Sequence, residues 1–345
     1  MIDESTAFFS YKNNFEETSS IESELIVNTC HASGAYITIA IPTYKRAALL
    51  EEAVDSALFQ NNSCNYEIII VDNNPERGDE TEKLVLRKYC QVPNIRYYKN
   101  KSNLGMFGNI NRLFSLSRTH WLVMLHDDDV LFPDYLFYVK RILDHNKILE
   151  LLVVGRMVWF QNKGEQMPKP KVNNKKEKLY RLKLGYVFNN QSSSAPSGYV
   201  FNKDAVLELG GYDAEMYPSS DYVFYSKLLS REKVYYYTKQ LMVYRYLNNA
   251  TFNIDVQKKS LIEDYYLRKY IGNFLRYPEK YIQFIIKKKS YSRLLLLQQV
   301  DPNFDSSIPE LNKKVQPSNL KKKLYRLFDI IERWYWNIKL KSESV

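Results

Sequence analysis

Short apolar runs, each followed by a stretch in which apolar residues recur every three to four positions, organise the first third of the chain. Residues 36–42 carry Ile37, Ile39 and Ile41 and end at Pro42, the pattern of a strand, and 46–59 then shows helical spacing. The unit repeats. Ile68, Ile69, Ile70 and Val71 form a second continuous run ending at Asp72, with a helix predicted over 81–89. A short strand over 95–98, a helix over 103–117 and a third buried strand over 121–125 follow, the last running into Asp127, Asp128 and Asp129.

Strands alternating with helices predict an α/β fold with a doubly wound, mostly parallel sheet. In such sheets ligands sit beyond the carboxyl ends of the strands, where Thr43, Asp72 and Asp127 fall, so one cleft is expected to hold all three. Residues 161–183, rich in Lys and Asn with Pro168 and Pro170, read as a long exposed loop or mobile lid. Order is expected to resume near Tyr186. A small-residue loop over 192–198 then leads to a strand over 199–201, a helix over 203–209 stopped by Gly210 and Gly211, a helix from Asp221, and strands over 234–237 and 242–246. From about Gln257 the composition shifts to helices dense in Lys, Arg, Tyr and Leu, and no repeat of fixed period is found. The expected organisation is an acidic N-terminal extension over 1–35, an α/β domain over 36–255 and a basic helical C-terminal region over 256–345.

Composition narrows the function. The formal net charge of +10 over 345 residues predicts attraction to polyanions, whether nucleic acid, anionic lipid or a phosphate-bearing small molecule. That excess lies beyond residue 36, because the opening carries Asp3, Glu4, Glu16, Glu17, Glu22 and Glu24 against Lys12. Cys30, Cys64 and Cys90 have no metal-ligand spacing and fit a reducing compartment. The N-terminus lacks the basic start and apolar stretch of an export signal. The longest apolar run, 151–160, is interrupted by Arg156 and falls short of the roughly 20 residues that span a bilayer.

Three consecutive carboxylates at the end of a buried strand disfavour joint ionisation unless a cation or hydrogen-bond donors compensate them. A hard divalent ion is the simplest compensation. Mg²⁺ or Mn²⁺ takes oxygen ligands and often keeps only one or two protein carboxylates, with phosphate and water completing the shell. The plainer alternative is helix capping, by Asp129 or Asp134, of a helix over 133–143.

With these residues in place the chain resembles the inverting family 2 glycosyltransferases of GT-A fold. The matching positions run from Ile41 to Arg46 (with Pro42, Thr43, Tyr44 and Lys45), then Val71, Asp72, Asn73 and Asn74, then Asn103, Leu104 and Gly105, and the triplet with His126 before it. Pro196, Ser197 and Gly198, then Gly210, Gly211, Tyr212 and Asp213, then Ser220, Asp221 and Tyr222, and finally Tyr244 and Arg245 complete the series. Each is weak alone; in this order they cover about 36–253 and are specific.

The resemblance implies that Thr43, Tyr44 and Arg46 line the nucleotide base, and that Asp72 bonds uracil or ribose, with Asn74, Asn103 and Gly105 in the same donor-binding set. Asp72 is equally suited to form the turn before Pro75. Asp127 is assigned to the ribose or donor sugar and to the metal, Asp128 to the donor site, and Asp129 to the metal that bridges the diphosphate. Asp221 resembles the general base, although an Asp there also suits a helix cap. Pro196, Ser197 and Gly198 are expected to bring backbone close to the donor sugar, or to form only a tight turn. Arg245 is expected to pair with a phosphate, and His126 to touch substrate or to be a hydrogen-bonded core residue. One departure stands out: many relatives place a histidine after the Tyr-Arg pair, where this chain has Tyr246, Leu247, Asn248 and Asn249.

Toward the end, Leu320, Leu324, Leu327, Phe328, Ile331, Trp334, Tyr335 and Ile338 recur at helical spacing among Lys321, Lys322, Lys323, Arg326 and Arg333. Such a helix suits an anionic membrane surface, its own core or a second subunit, and the three are left open. The expectation is therefore a metal-dependent enzyme moving one sugar from a nucleotide-sugar donor, a UDP-sugar favoured, to a saccharide or lipid-linked saccharide in surface polysaccharide assembly. It is expected in the cytoplasm, peripheral to the inner face of the membrane, with a homo-oligomer left open. The alternatives are a nucleotidyltransferase, a basic nucleic-acid-binding protein, for which no recognisable module is found, and an inactive sugar-nucleotide binder.

Overall fold

The computed structural model describes residues 2–30, 34–61, 64–160, 167–168, 177–190, 195–246, 253–304, 306, 308–311, 323–331 and 342–343. An edge strand β1 (Ser23–Asn28) precedes three strand-helix units: β2 (Ile37–Thr43) with α1 (Ala47–Leu58), β3 (Tyr66–Asp72) with α2 (Glu80–Lys88), and β4 (Ile95–Asn100) with α3 (Gly105–Leu116). After β5 (Trp121–Met124) and the two-residue β6 (Val130–Leu131) come α4 (Tyr135–His145), β7 (Leu151–Phe160), β8 (Leu179–Arg181) and α5 (Leu184–Asn190). Then follow β9 (Tyr199–Asn202), α6 (Lys203–Glu208), α7 (Ser220–Ser230), β10 (Val234–Tyr246), α8 (Ile254–Phe274), α9 (Glu279–Val300) and β11 (Ser342–Glu343).

One sheet runs β1-β4-β3-β2-β5-β9-β7-β10-β8-β11, with β6 pairing β10. Its centre, β4-β3-β2-β5, is parallel, as is the β7-β10 pair, while β9 joins the two halves antiparallel. The continuous apolar runs follow from burial on both faces. In β2 and β3, Ile37, Ile39, Ile41, Ile68 and Ile70 pack with α1, α2 and α4, whereas Ala40, Ile69 and Val71 face the opposite cluster with α3 and α7. Truncating one of these buried isoleucines to Ala costs about 2–5 kcal/mol.

Pro42 does not end β2 as the sequence implied. The strand continues to Thr43, paired with Asp72. The Ala40 carbonyl accepts from Leu125 on the β5 side, so Pro42, two residues on, turns its hydrogen-free nitrogen the same way, past the last β2-β5 pair at Ala40 and Met124.

Three features were not legible as strands or contacts. β1 adds antiparallel to β4. The run over 151–160 is β7, paired along its length with β10, which is one strand where two were expected. The opening residues also pack onto the molecule: Phe8 is buried in the cluster shared with α7, α8 and α9, and Asn14 donates from its backbone N–H and its side chain to the Gly210 carbonyl. Of the expected lid, 161–166 and 169–176 lie outside the described residues, and Leu179 to Arg181 form β8. Within the expected terminal helix, 323–331 is helical; Leu320, Trp334, Tyr335 and Ile338 lie outside the described residues. No helix among the described residues is long and apolar enough to cross a membrane.

Candidate functional site

Beyond the carboxyl ends of β2 and β5 lies a cleft of about 520 Å³. Thr43, Tyr44, Arg46, Asn103, Gly105, Asp127, Asp128, Pro196 and Asp221 all line it, together with His126. These come from five separate stretches of chain, which the topology brings to one end of the sheet.

Arg46 compensates part of the acidic triplet. One guanidinium nitrogen lies 3.3 Å from Asp127 Oδ1 and 3.0 Å from Asp128 Oδ2, and the Thr43 hydroxyl donates to Asp127 Oδ2 at 2.8 Å. Asp129 is held differently. Its Oδ1 accepts from the Arg245 backbone N–H at 2.7 Å, while Oδ2 is buried and makes no hydrogen bond among the described residues. Burial, and then the neighbouring Asp128 charge, push the Asp129 carboxyl up to about 7. Burial also pushes Asp127 up to about 6, against the pull of Arg46. Burial lowers the His126 imidazole, favouring its neutral, metal-competent form.

Ligand atoms of His126, Asp128 and Asp129 lie within 4.8 Å of one another. An orphaned buried carboxylate oxygen beside a second carboxylate and a neutral imidazole is a donor set that fits a divalent ion such as Mn²⁺ or Mg²⁺. Asp127, expected to share the metal, turns its oxygens to Thr43 and Arg46 instead. Helix capping does not explain the triplet: α4 is flanked by Asp134, whose side chain makes no cap bond.

Several expected donor-site residues do not reach the cleft. Asp72 is fully buried, with Oδ2 accepting from Tyr97 Oη at 2.9 Å and Lys99 Nζ at 2.7 Å and Oδ1 from the Asn74 backbone N–H. This is the turn-forming role, extended by an ion pair. Asn74 spends its side-chain amide on Asp79. Ser197 is buried and accepts from the His126 backbone N–H at 3.1 Å, fixing the start of the acidic loop from behind. Gly198 sits under the loop at φ +74°, where an added Cβ would lie 2.0 Å from Met242 Sδ. The Arg245 guanidinium, 2% exposed, is paired with Glu52 and stacked over Trp159 at 5.2 Å, so it faces away from the cleft. Leu247, Asn248 and Asn249 lie outside the described residues.

Other lining residues were named only within a motif or not at all. Tyr244 rather than Arg245 faces the cleft, because successive strand residues point to opposite faces. Met106, Phe107, Ile110, Tyr217, Pro218 and Val256 form an apolar wall, and Val256 lies past the expected domain boundary. Asn73 was legible only as part of a motif. Its Oδ1 accepts from Asn100 Nδ2 and the Leu104 N–H, and its Nδ2 donates to Asn103 Oδ1 and the Gly105 carbonyl, which sets the loop before α3. Gly105 opens α3 at φ +70°, a conformation costly for any side chain. Asp221 stands in the first turn of α7, bonded to the Tyr222 N–H at 2.7 Å, with Ser219 rather than Asp221 at the cap position.

A three-layer α/β sheet with an acidic loop after its fourth parallel strand is the GT-A fold. Through residues 38–209, the chain belongs to the family described as glycosyl transferase family 2. It is 25% identical over 193 residues to an uncharacterized glycosyltransferase of Haemophilus influenzae, an alignment covering 56% of this chain and 62% of that one. It is 23% identical over 218 residues to an uncharacterized protein of Mycobacterium tuberculosis, covering 61% and 67%. The chain thus spans less than two thirds of the Haemophilus relative. Among solved structures, TarS of S. aureus in complex with UDP superposes with a TM-score of 0.53 at 14% identity, covering 76% of this chain and 73% of that one. TarS in complex with UDP-GlcNAc gives 0.52 at 13% identity, covering 76% and 74%. At such identity these matches speak to the fold.

Proposed function

We propose that the chain transfers one sugar from a nucleotide-sugar, a UDP-sugar favoured, to a saccharide acceptor with inversion at the anomeric carbon. The observation that carries the reading is the orphaned Asp129 Oδ2, grouped with Asp128 and His126 at a cleft that Asp221 also lines. Asp129, with Asp128 and His126, would hold Mn²⁺ or Mg²⁺. Such an ion supplies charge neutralisation for a departing nucleoside diphosphate. Arg46 and Asp127 border the donor, and Thr43, Tyr44, Asn103 and Gly105 line the path of its nucleoside. Asp221 accepts the proton of the attacking acceptor hydroxyl, whose oxygen forms the new glycosidic bond as the bond to the diphosphate breaks. The apolar wall of Phe107, Tyr217 and Val256 suits the flat face of an acceptor sugar ring.

A lipid-linked acceptor in surface polysaccharide assembly, met at the inner face of the membrane, fits the helix over 323–331. Tyr325 and Phe328 dock on Phe284 of the chain's own α9, at ring distances of 6.0 and 4.7 Å. Leu324, Leu327 and Ile331 are more than half exposed on the same helix as Lys323 and Arg326. The helix thus both docks and presents an apolar, basic face.

The test is a donor screen over UDP-, GDP-, CDP- and dTDP-sugars with and without Mn²⁺. Release of free UDP that requires the ion supports the reading. Release of pyrophosphate points to nucleotidyl transfer, and silence toward every donor and every divalent ion at millimolar concentration overturns it.

A further inference from the structure

Among the described residues, Arg156 is a cation beside the cleft with no acid in an ion pair to it. It stands on β7, half-buried, with its guanidinium 4.8 Å from the Tyr244 ring centroid and 5.7 Å from that of Tyr199. Its side-chain hydrogen bonds among the described residues are long: 3.4 Å to the Ala195 carbonyl and 3.5 Å to Tyr199 Oη. No carboxylate lies within ion-pair distance of it among the described residues.

Three other basic residues of this region are paired with acids. Arg46 spans Asp127 and Asp128, Arg245 is held by Glu52, and Lys99 by Asp72 and Asp79. Strand register explains the difference between the two arginines near the site. Arg156 pairs with Met242, two residues before cleft-lining Tyr244, and so shares its face of the sheet, whereas Arg245 pairs with Trp159 on the other. Two of the groups Arg156 touches, Ala195 and Tyr244, line the cleft. Its positive charge also reaches Asp129 and His126 without bridging to them.

A half-buried guanidinium held by two aromatic faces and two long bonds gives up little on turning to an anion, and a planar fork of donors matches phosphate oxygens. We propose that Arg156 binds the phosphates of the nucleoside diphosphate in this cleft, supplying the contact that Arg245 cannot make. This rests on the nucleotide-sugar reading above. Arg156 would then place positive charge at the diphosphate, beside that of any ion that Asp129, Asp128 and His126 would hold, so the bond to the sugar breaks with its electron pair moving onto an oxygen already compensated.

The test compares UDP with uridine by calorimetry at saturating Mn²⁺, using the wild type, Arg156→Met and Arg156→Lys. Losing a charge-assisted phosphate contact is expected to weaken UDP by at least about tenfold in Arg156→Met while uridine changes by less than about twofold, with Arg156→Lys between. A merely structural arginine would weaken both ligands alike; that result, or an unchanged UDP affinity, overturns the proposal and leaves the nucleotide-sugar reading standing. Wild type that binds UDP no better than uridine overturns both. Arg156→Gln supplies the same comparison if the methionine variant does not fold.

Discussion

The Arg245 backbone N–H donates to Asp129 Oδ1 at 2.7 Å, while the guanidinium of the same arginine points the opposite way, to Glu52. The pair binds the last strand of the parallel β7-β10 unit to the acidic loop after β5, and holds the Asp129 carboxylate in the group it forms with His126 and Asp128. Arg245 therefore serves the site through its peptide.

Arg46 offsets like charge at Asp127 and Asp128 in the ion-free protein. Arg46→Ala is expected to lower the melting temperature without divalent ions and to lose most of that deficit when Mn²⁺ is added, because the ion takes over the compensation. Differential scanning fluorimetry with and without Mn²⁺ checks it; an equal deficit in both conditions argues against shared compensation.

Asp221 separates proton transfer from capping. Since Ser219 holds the cap position of α7, Asp221→Asn is expected to leave the melting temperature within about a degree while turnover falls by about 10²–10⁴-fold, the usual scale for losing a general base. A variant that retains turnover, or one that unfolds, contradicts the assignment.

Glu263 on α8 connects pH to the stability of the α7 N-terminus. It is 2% exposed, accepts from the Ser219 N–H at 3.1 Å, and is raised from the ordinary 4.5 to about 7 by burial, with Ser219 and Lys259 opposing. The folded protein therefore binds this proton more tightly than the unfolded chain. Between about pH 4.5 and 7 the native state carries the extra proton, so stability falls as pH rises through that window and the cost stays constant above it. Glu263→Gln keeps an acceptor for Ser219 without the charge. It is expected to gain roughly 1–3 kcal/mol at pH 8 and to converge with wild type near the unfolded value. Urea unfolding at pH 5 and pH 8 reads it, and a gain independent of pH contradicts the account.

The sequence exposed the parallel core because β2, β3 and β5 are buried on both faces, which leaves unbroken apolar runs. It concealed β7 for the same reason, since a ten-residue apolar run with one arginine reads equally as a buried strand or as a truncated membrane segment, and only pairing with β10 decides. β1 was hidden because an edge strand with one exposed face carries polar residues such as Ser23, Glu24 and Asn28. At the site, residues named by chemistry reached the cleft when they ended a strand or began a helix, as Thr43 and Asp221 do, or lay in the loop just past a strand, as Asp127 does. Asp72 also ends a strand, yet Lys99 and Tyr97 on the adjacent β4 claim its oxygens, a contact that sequence spacing does not reveal. Arg245 and Tyr244 show the one-residue ambiguity of a strand, where facing is settled by register.

The measurement that bears most directly on the central claim is Mn²⁺ binding in the presence of UDP, by calorimetry, for wild type and Asp129→Asn. The Oδ2 that makes no hydrogen bond among the described residues predicts a single Mn²⁺ site in wild type, weakened at least about tenfold in the variant, while removal of a charge that burial disfavours leaves the melting temperature unchanged or higher. Equal Mn²⁺ affinity in the two proteins, with both folded, would contradict it.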